Sequence, residues 1–113
     1  MAMTWRGLKA HCLSLEGAQE TFPFGPDVSV FKAANGKMFA LSMADQRPLA
    51  VSVKVDPEEG VLLRSTYDAI EPGYHLNKRH WVTVTLGADA PDRLVKELIA
   101  DSHALVAPKR GRR

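Results

Sequence analysis

The sequence has one cysteine, Cys12, among 113 residues, which excludes an internal disulfide framework and a zinc site built on several thiolates. No apolar run approaches the roughly 18 residues that a membrane-spanning helix needs, so no membrane segment is expected. The opening Met1-Ala2-Met3-Thr4-Trp5-Arg6 lacks the basic-then-apolar layout of a secretory signal, and the expected location is the cytoplasm. There is no Gly-x-Ser-x-Gly elbow, no glycine-rich phosphate loop and no His-Glu-x-x-His pair. Catalytic zinc needs three converging ligands, whereas His75 and His80 lie five apart and His11 and His103 fall on separate predicted helices. Cys12 sits in an apolar stripe, where a thiol behaves as a small hydrophobe. Neither catalysis nor a metal or cofactor is expected.

A basic body is also missing. The net charge is +2, but the last five residues hold Lys109, Arg110, Arg112 and Arg113 without an acid, and taking away these four leaves residues 1–108 at −2. The sequence pI near 8.9 therefore reports a tail, residues 109–113, expected to be disordered and able to stick to any polyanion. Within the body, cations gather at 28–54 and 72–88, and acids at 55–71 and 89–108.

What is present is an ordinary globular composition, 45% hydrophobic and 25% charged, in a chain sized for one domain. Residues 1–108 are read as that domain. Trp5, Leu8, Cys12 and Leu15 recur at helical spacing behind Thr4, an N-cap residue, predicting a helix over 4–13 that Gly17 follows. The prolines and glycine of 21–27 make a stiff loop. Strands are predicted at 28–33 and 37–43, joined by Asn35-Gly36, and at 49–55, where Leu49, Val51, Val53 and Val55 alternate with Ala50, Ser52 and Lys54. Asp56, Pro57, Glu58 and Glu59 open a second helix ending near Tyr67. A short strand around 74–76, a strand at 81–86 and a final helix from about 89–91 to Pro108 complete the chain.

The order α-β-β-β-α-β-β-α with antiparallel hairpins predicts an α+β two-layer sandwich, an antiparallel sheet with helices on one face. The open face is expected to carry Ser42, Ser52, Lys54, Trp81, Thr83 and Thr85; parity would add Ser29 and Phe31, but that first strand is ambiguous because Lys32 would then share a face with Val28 and Val30. Acidic helices would then stand behind basic strands.

The densest chemistry lies in Pro72-Gly73-Tyr74-His75-Leu76-Asn77-Lys78-Arg79-His80-Trp81. Together with Glu20-Thr21-Phe22-Pro23-Phe24-Gly25-Pro26-Asp27-Val28 and Gly36-Lys37-Met38-Phe39-Ala40, it resembles the MmcQ/YjbR family of bacterial proteins over nearly the whole chain. The resemblance implies a CyaY-like α+β fold and the family's usual label, a DNA-binding protein. Family members often read Leu-Lys-Cys-Asp-Pro where this chain has Val53-Lys54-Val55-Asp56-Pro57, so any role for that thiol is absent here.

Two functional readings follow. In the first, weak and salt-sensitive DNA binding, Lys54, Lys78 and Arg79 engage phosphates, with Lys32 and Lys37 in reserve, while Tyr74 and Trp81 stack on bases. Asn77, His75 and His80 then make polar contacts. The plainer fate of these residues is structural: Trp81 and Tyr74 plug the core edge, and Asn77 ties a turn through its side chain. In the second, the same segment and the Phe22 and Phe24 loop hold a small ligand or a protein partner. The commoner fate of those two rings is to fill the gap between first helix and sheet.

Overall fold

The computed structural model describes residues 3–108; the basic tail at 109–113 lies outside them. The described residues form α1 (Trp5–Leu13), β1 (Gln19–Thr21), β2 (Ser29–Lys32), β3 (Met38–Ser42), β4 (Ala50–Lys54), α2 (Pro57–Thr66), β5 (Ile70–Pro72), β6 (Trp81–Thr85) and α3 (Asp92–Val106). The strands make one antiparallel sheet in the order β1-β2-β3-β4-β6-β5, so the α+β class holds. No helix among the described residues is long and apolar enough to cross a membrane.

Local signals account for most boundaries. Thr4 caps α1 by accepting from Gly7 N at 3.1 Å. Asp56 occupies the cap position of α2 without a side-chain bond, and Pro57, Glu58 and Glu59 supply its first turn. Asn35 turns the β2–β3 hairpin and also donates to the Val106 carbonyl at 2.7 Å, tying down the end of α3.

Two strands differ from expectation. β1 is an additional edge strand: three polar residues carry no alternation, and Gln19–Thr21 is held by pairing with β2 and by Thr21 Oγ1 donating to Val30 O. The strand expected around 74–76 lies earlier, at Ile70–Pro72. His75 has φ 60°, a left-handed conformation that no strand residue adopts. Pro72 is tolerated because β5 is the other sheet edge.

Directly paired residues share a face, so the register sorts the sheet. Val53 stands between Ala40 and Val82, and Val51 between Ser42 and Val84. These valines join Leu8, Cys12, Leu63, Val95, Leu98 and Ile99 in the buried core beneath the helices. On the opposite face Val30, Leu41, Ser52, Thr83 and Glu71 form one row, and Lys54 pairs with Trp81 in the next.

Ser52, Lys54, Thr83, Thr85 and Trp81 therefore lie where parity puts them, but Ser29, Phe31 and Ser42 belong to the helix side. β2 alternates regularly and turns Ser29 and Phe31 inward with Val30 and Lys32 outward, while for Ser42 the cause is a bulge in β3. Phe31 pairs with Ala40 but Lys32 with Met38, leaving Phe39 as the extra residue. Its ring packs 6.5 Å from Phe31 and 5.0 Å from His103 of α3. Phe39 thus takes an inward place out of turn, and Leu41 is passed to the open face. Where the β3–β4 ladder ends, Ser102 of α3 donates to Phe39 O at 2.6 Å and accepts from Lys54 N at 2.9 Å.

Candidate functional site

The chain from β5 to β6 crosses the open face as a tight turn. Gly73 N donates to Trp81 O at 2.9 Å, and a Cβ at Gly73 would stand 2.7 Å from Trp81 Cβ, which reserves the position for glycine. Tyr74 N donates to Thr83 Oγ1 at 3.0 Å, and that hydroxyl is bonded to Ser52 Oγ at 2.8 Å. Asn77 Oδ1 accepts from Arg79 N and His80 N, while Lys78 Nζ donates to Gly73 O at 2.6 Å. The His80 carbonyl accepts from Val55 N at 2.8 Å and anchors the turn to β4.

The eight sequence-predicted site residues separate into two groups. Asn77 and Lys78 hold the turn, although Lys78 keeps two further N–H donors. Trp81 is only 9% exposed and pairs with Lys54 in the ladder, so its ring is not offered to a ligand. Tyr74 is 62% exposed, and its ring stands 3.9 Å from that of His75. Arg79 and His75 are exposed, and Lys54 and His80 are half-buried. Of the two rings expected to stack, Tyr74 is accessible.

Two cavities adjoin this turn on the open face. One of about 460 Å³ lies over the sheet between Leu41, Met43, Ala50 and Ser52 and the side of Glu71, Tyr74, Thr83 and Thr85. The other, about 300 Å³, is enclosed by Phe24, Val28, Leu41, Met43, Tyr74, His75 and Leu76. Leu41, Met43 and Tyr74 line both, which makes one continuous groove. Glu71 and His75 are its titratable side chains besides Tyr74, and no Lys or Arg lines it. The expected basic front therefore gives way to a nearly uncharged trough.

The 21–27 loop supplies the far wall. Phe22 and Phe24 do not fill the gap between α1 and the sheet. They are 49% and 68% exposed, and Phe24 alone of the pair lines the groove. Bonds from Gly25 N to Phe22 O and from Val28 N to Gly25 O stiffen the loop. The contribution of Leu41 in β3 and of Met43 just beyond it was missing from the sequence reading, because the bulge at Phe39 shifts the parity of that strand.

The cations collect elsewhere. Arg64, Lys78 and Arg79 line a further cavity of about 450 Å³ with Pro57, Glu58, Val61 and Pro72, between α2 and the turn. The histidines beyond the turn serve packing: His11 Nε2 bonds to Lys96 O at 3.0 Å and His103 Nε2 to Glu16 O at 2.9 Å. Among the described residues no group of three or more His, Cys, Asp or Glu side chains could hold a metal ion. Burial, followed by the nearby Glu20 charge, pushes the Cys12 thiol up to about 12.

The class defined by these features is an open-faced α+β sandwich, helices behind and a loop-rimmed groove in front. The YjbR family model matches residues 13–105, and the chain belongs to the YjbR family. It is 39% identical to YbdF of Escherichia coli O157:H7 over 98 residues, 87% of this chain and 80% of that protein. It is 32% identical to YjbR of Escherichia coli K12 over 101 residues, 89% of this chain and 85% of that protein. A crystal structure of the Deinococcus radiodurans protein DR2400 superposes with a TM-score of 0.87 at 44% identity, covering 98% of this chain and 83% of that one. A crystal structure from Pseudomonas syringae gives a TM-score of 0.80 at 30% identity, covering 91% and 98%.

Proposed function

We propose that the protein is a non-enzymatic, cytoplasmic binding module that takes a small, largely apolar molecule into the groove between Phe24 and Tyr74. The observation that carries this reading is the groove itself. Its two lobes fall in the range of roughly 300–1,000 Å³ typical of small-molecule sites. Aromatic and aliphatic side chains line it, with the bonded Ser52 and Thr83 hydroxyls on its floor. Two exposed rings, Phe24 and Tyr74, line it, on a loop and a turn already stiffened by their own hydrogen bonds, which lowers the ordering cost of binding.

Indole, an uncharged aromatic of suitable size, is the probe for a test by NMR at low and moderate salt. Shifts at Leu41, Met43 and Leu76 that ignore salt and are lost in Tyr74→Ala are expected. Shifts confined to other parts of the chain, or none, would remove the groove from consideration.

Weak DNA binding, the usual label of the family, is a second reading with its own support: exposed Tyr74 and Arg79 share one turn with Lys78, and that turn leads into Trp81, the ladder partner of half-buried Lys54. Short single- and double-stranded DNA should then bind with steep salt dependence, and Arg79→Ala should lower the salt slope by about 1. A slope unchanged by Arg79→Ala, but lost with residues 109–113, would assign DNA to the tail.

A further inference from the structure

We infer that the cavity between α2 and the 73–80 turn binds a small molecule carrying a phosphate group on an apolar body. The inference goes beyond the groove reading and does not rest on it, since Pro72 is the one residue that lines both places.

The cavity has one wall from α2. Pro57, Val61 and Arg64 recur at spacings of four and three, which places them on a single helix face. The facing wall is the turn, through Lys78 and Arg79. Three cations thus share about 450 Å³ with one acid, Glu58. Neither the Arg64 nor the Arg79 guanidinium has a hydrogen bond or an ion pair among the described residues. Like charges gathered without carboxylate partners are poised for an anion. Phosphate suits them because the guanidinium fork presents paired N–H groups to two oxygens at once.

The lie of Arg64 strengthens this assignment. Helical side chains lean toward the N-terminus, which sends Arg64 back over Gly60. A Cβ at Gly60 would stand 3.2 Å from Arg64 Nη1 and 3.1 Å from Val55 Cγ2, so the missing side chain leaves room for the arm. Lys78, fixed on Gly73 O, supplies a positioned ammonium with donors to spare. The remaining lining is apolar: Pro57, Pro72 and Val61, the last 58% exposed. An apolar body carried by the phosphate would cover that surface, and a cavity of this volume suits a small molecule.

Phenyl phosphate, titrated into the full chain and followed by amide-resolved NMR, tests the site. Phenol, inorganic phosphate and a short oligothymidylate serve as parallel arms. Phenyl phosphate should shift the amides of 57–64 and 78–79, inorganic phosphate the same amides more weakly, and phenol none of them. Arg64→Gln and Arg79→Gln should each weaken phenyl phosphate about tenfold, while Lys37→Gln, outside the cavity, should leave it unchanged. Circular dichroism checks that each variant is folded, and the wild-type shift map stands without them. The inference fails if the shifts are confined to 109–113 or survive both arginine substitutions. It fails too if oligothymidylate occupies these amides more tightly than phenyl phosphate, since the cations would then serve a nucleic-acid backbone.

Discussion

At Ser102 one hydroxyl donates to the Phe39 carbonyl and accepts from the Lys54 amide, inside a helix–sheet interface with no exposure. Ser102→Ala leaves both backbone groups without that partner and should cost about 1–3 kcal/mol in chemical denaturation. Asp89 accepts from Ala69 N and Asp68 N, and these bonds hold its carboxyl below the usual carboxylate range. A depressed folded-state pKa means that its contribution is complete above the unfolded value and lost as pH falls through the folded one. Asp89→Asn should therefore flatten the acid limb of the stability–pH curve. At Cys12 the sign is reversed: with a thiol at about 12 against an ordinary 9.0, the unfolded chain ionises first and stability falls as pH rises above that ordinary value. At mildly alkaline pH iodoacetamide should label Cys12 only as fast as the protein opens. Some residue roles were legible in the sequence. Asn77 ties its turn as Asx chemistry suggests and Trp81 is buried as its structural reading has it, whereas Tyr74, given the same reading, stands exposed.

Helices and central strands follow their signals closely, because caps and alternation are local. The alternation from Leu49 to Val55 sorts the two faces of β4 correctly, and Thr4 caps α1 as its position implies. The elements that were not legible depend on neighbours. β1 exists through its pairing with β2, and the faces of β3 depend on a bulge that repeats no period. The left-handed His75 turns residues 74–76 away from a strand and lays Tyr74 over the sheet. The closeness of Gly73 to Trp81 makes the turn testable. Gly73→Ala would drive a methyl group against Trp81 Cβ and the Trp81 carbonyl, at 2.7 and 3.1 Å. It should destabilise the protein by about 1–3 kcal/mol and redden Trp81 fluorescence as the ring loses its cover.

Over the whole molecule, the sequence divides charge by segment, but folding redistributes it. Cations from α2 and from the turn meet in one cavity, although Arg64 belongs to the acidic stretch of the chain. The groove, by contrast, draws on four stretches far apart in sequence, the 21–27 loop, β3, β4 and the turn with β6. The 21–27 loop and the turn were marked by their own composition, whereas the strands were marked by alternation alone. α3 closes the molecule through bonds that span most of the chain: Lys96 to His11, Ser102 to Phe39 and Lys54, His103 to Glu16, and Val106 to Asn35. During synthesis α3 is the last described element to leave the ribosome. Until then the valines of β4 lie uncovered on one side and the end of the β3–β4 ladder is open. A nascent chain stalled before Asp92 should therefore bind hydrophobic dyes and be cut readily by protease, and release of the final helix should abolish both together.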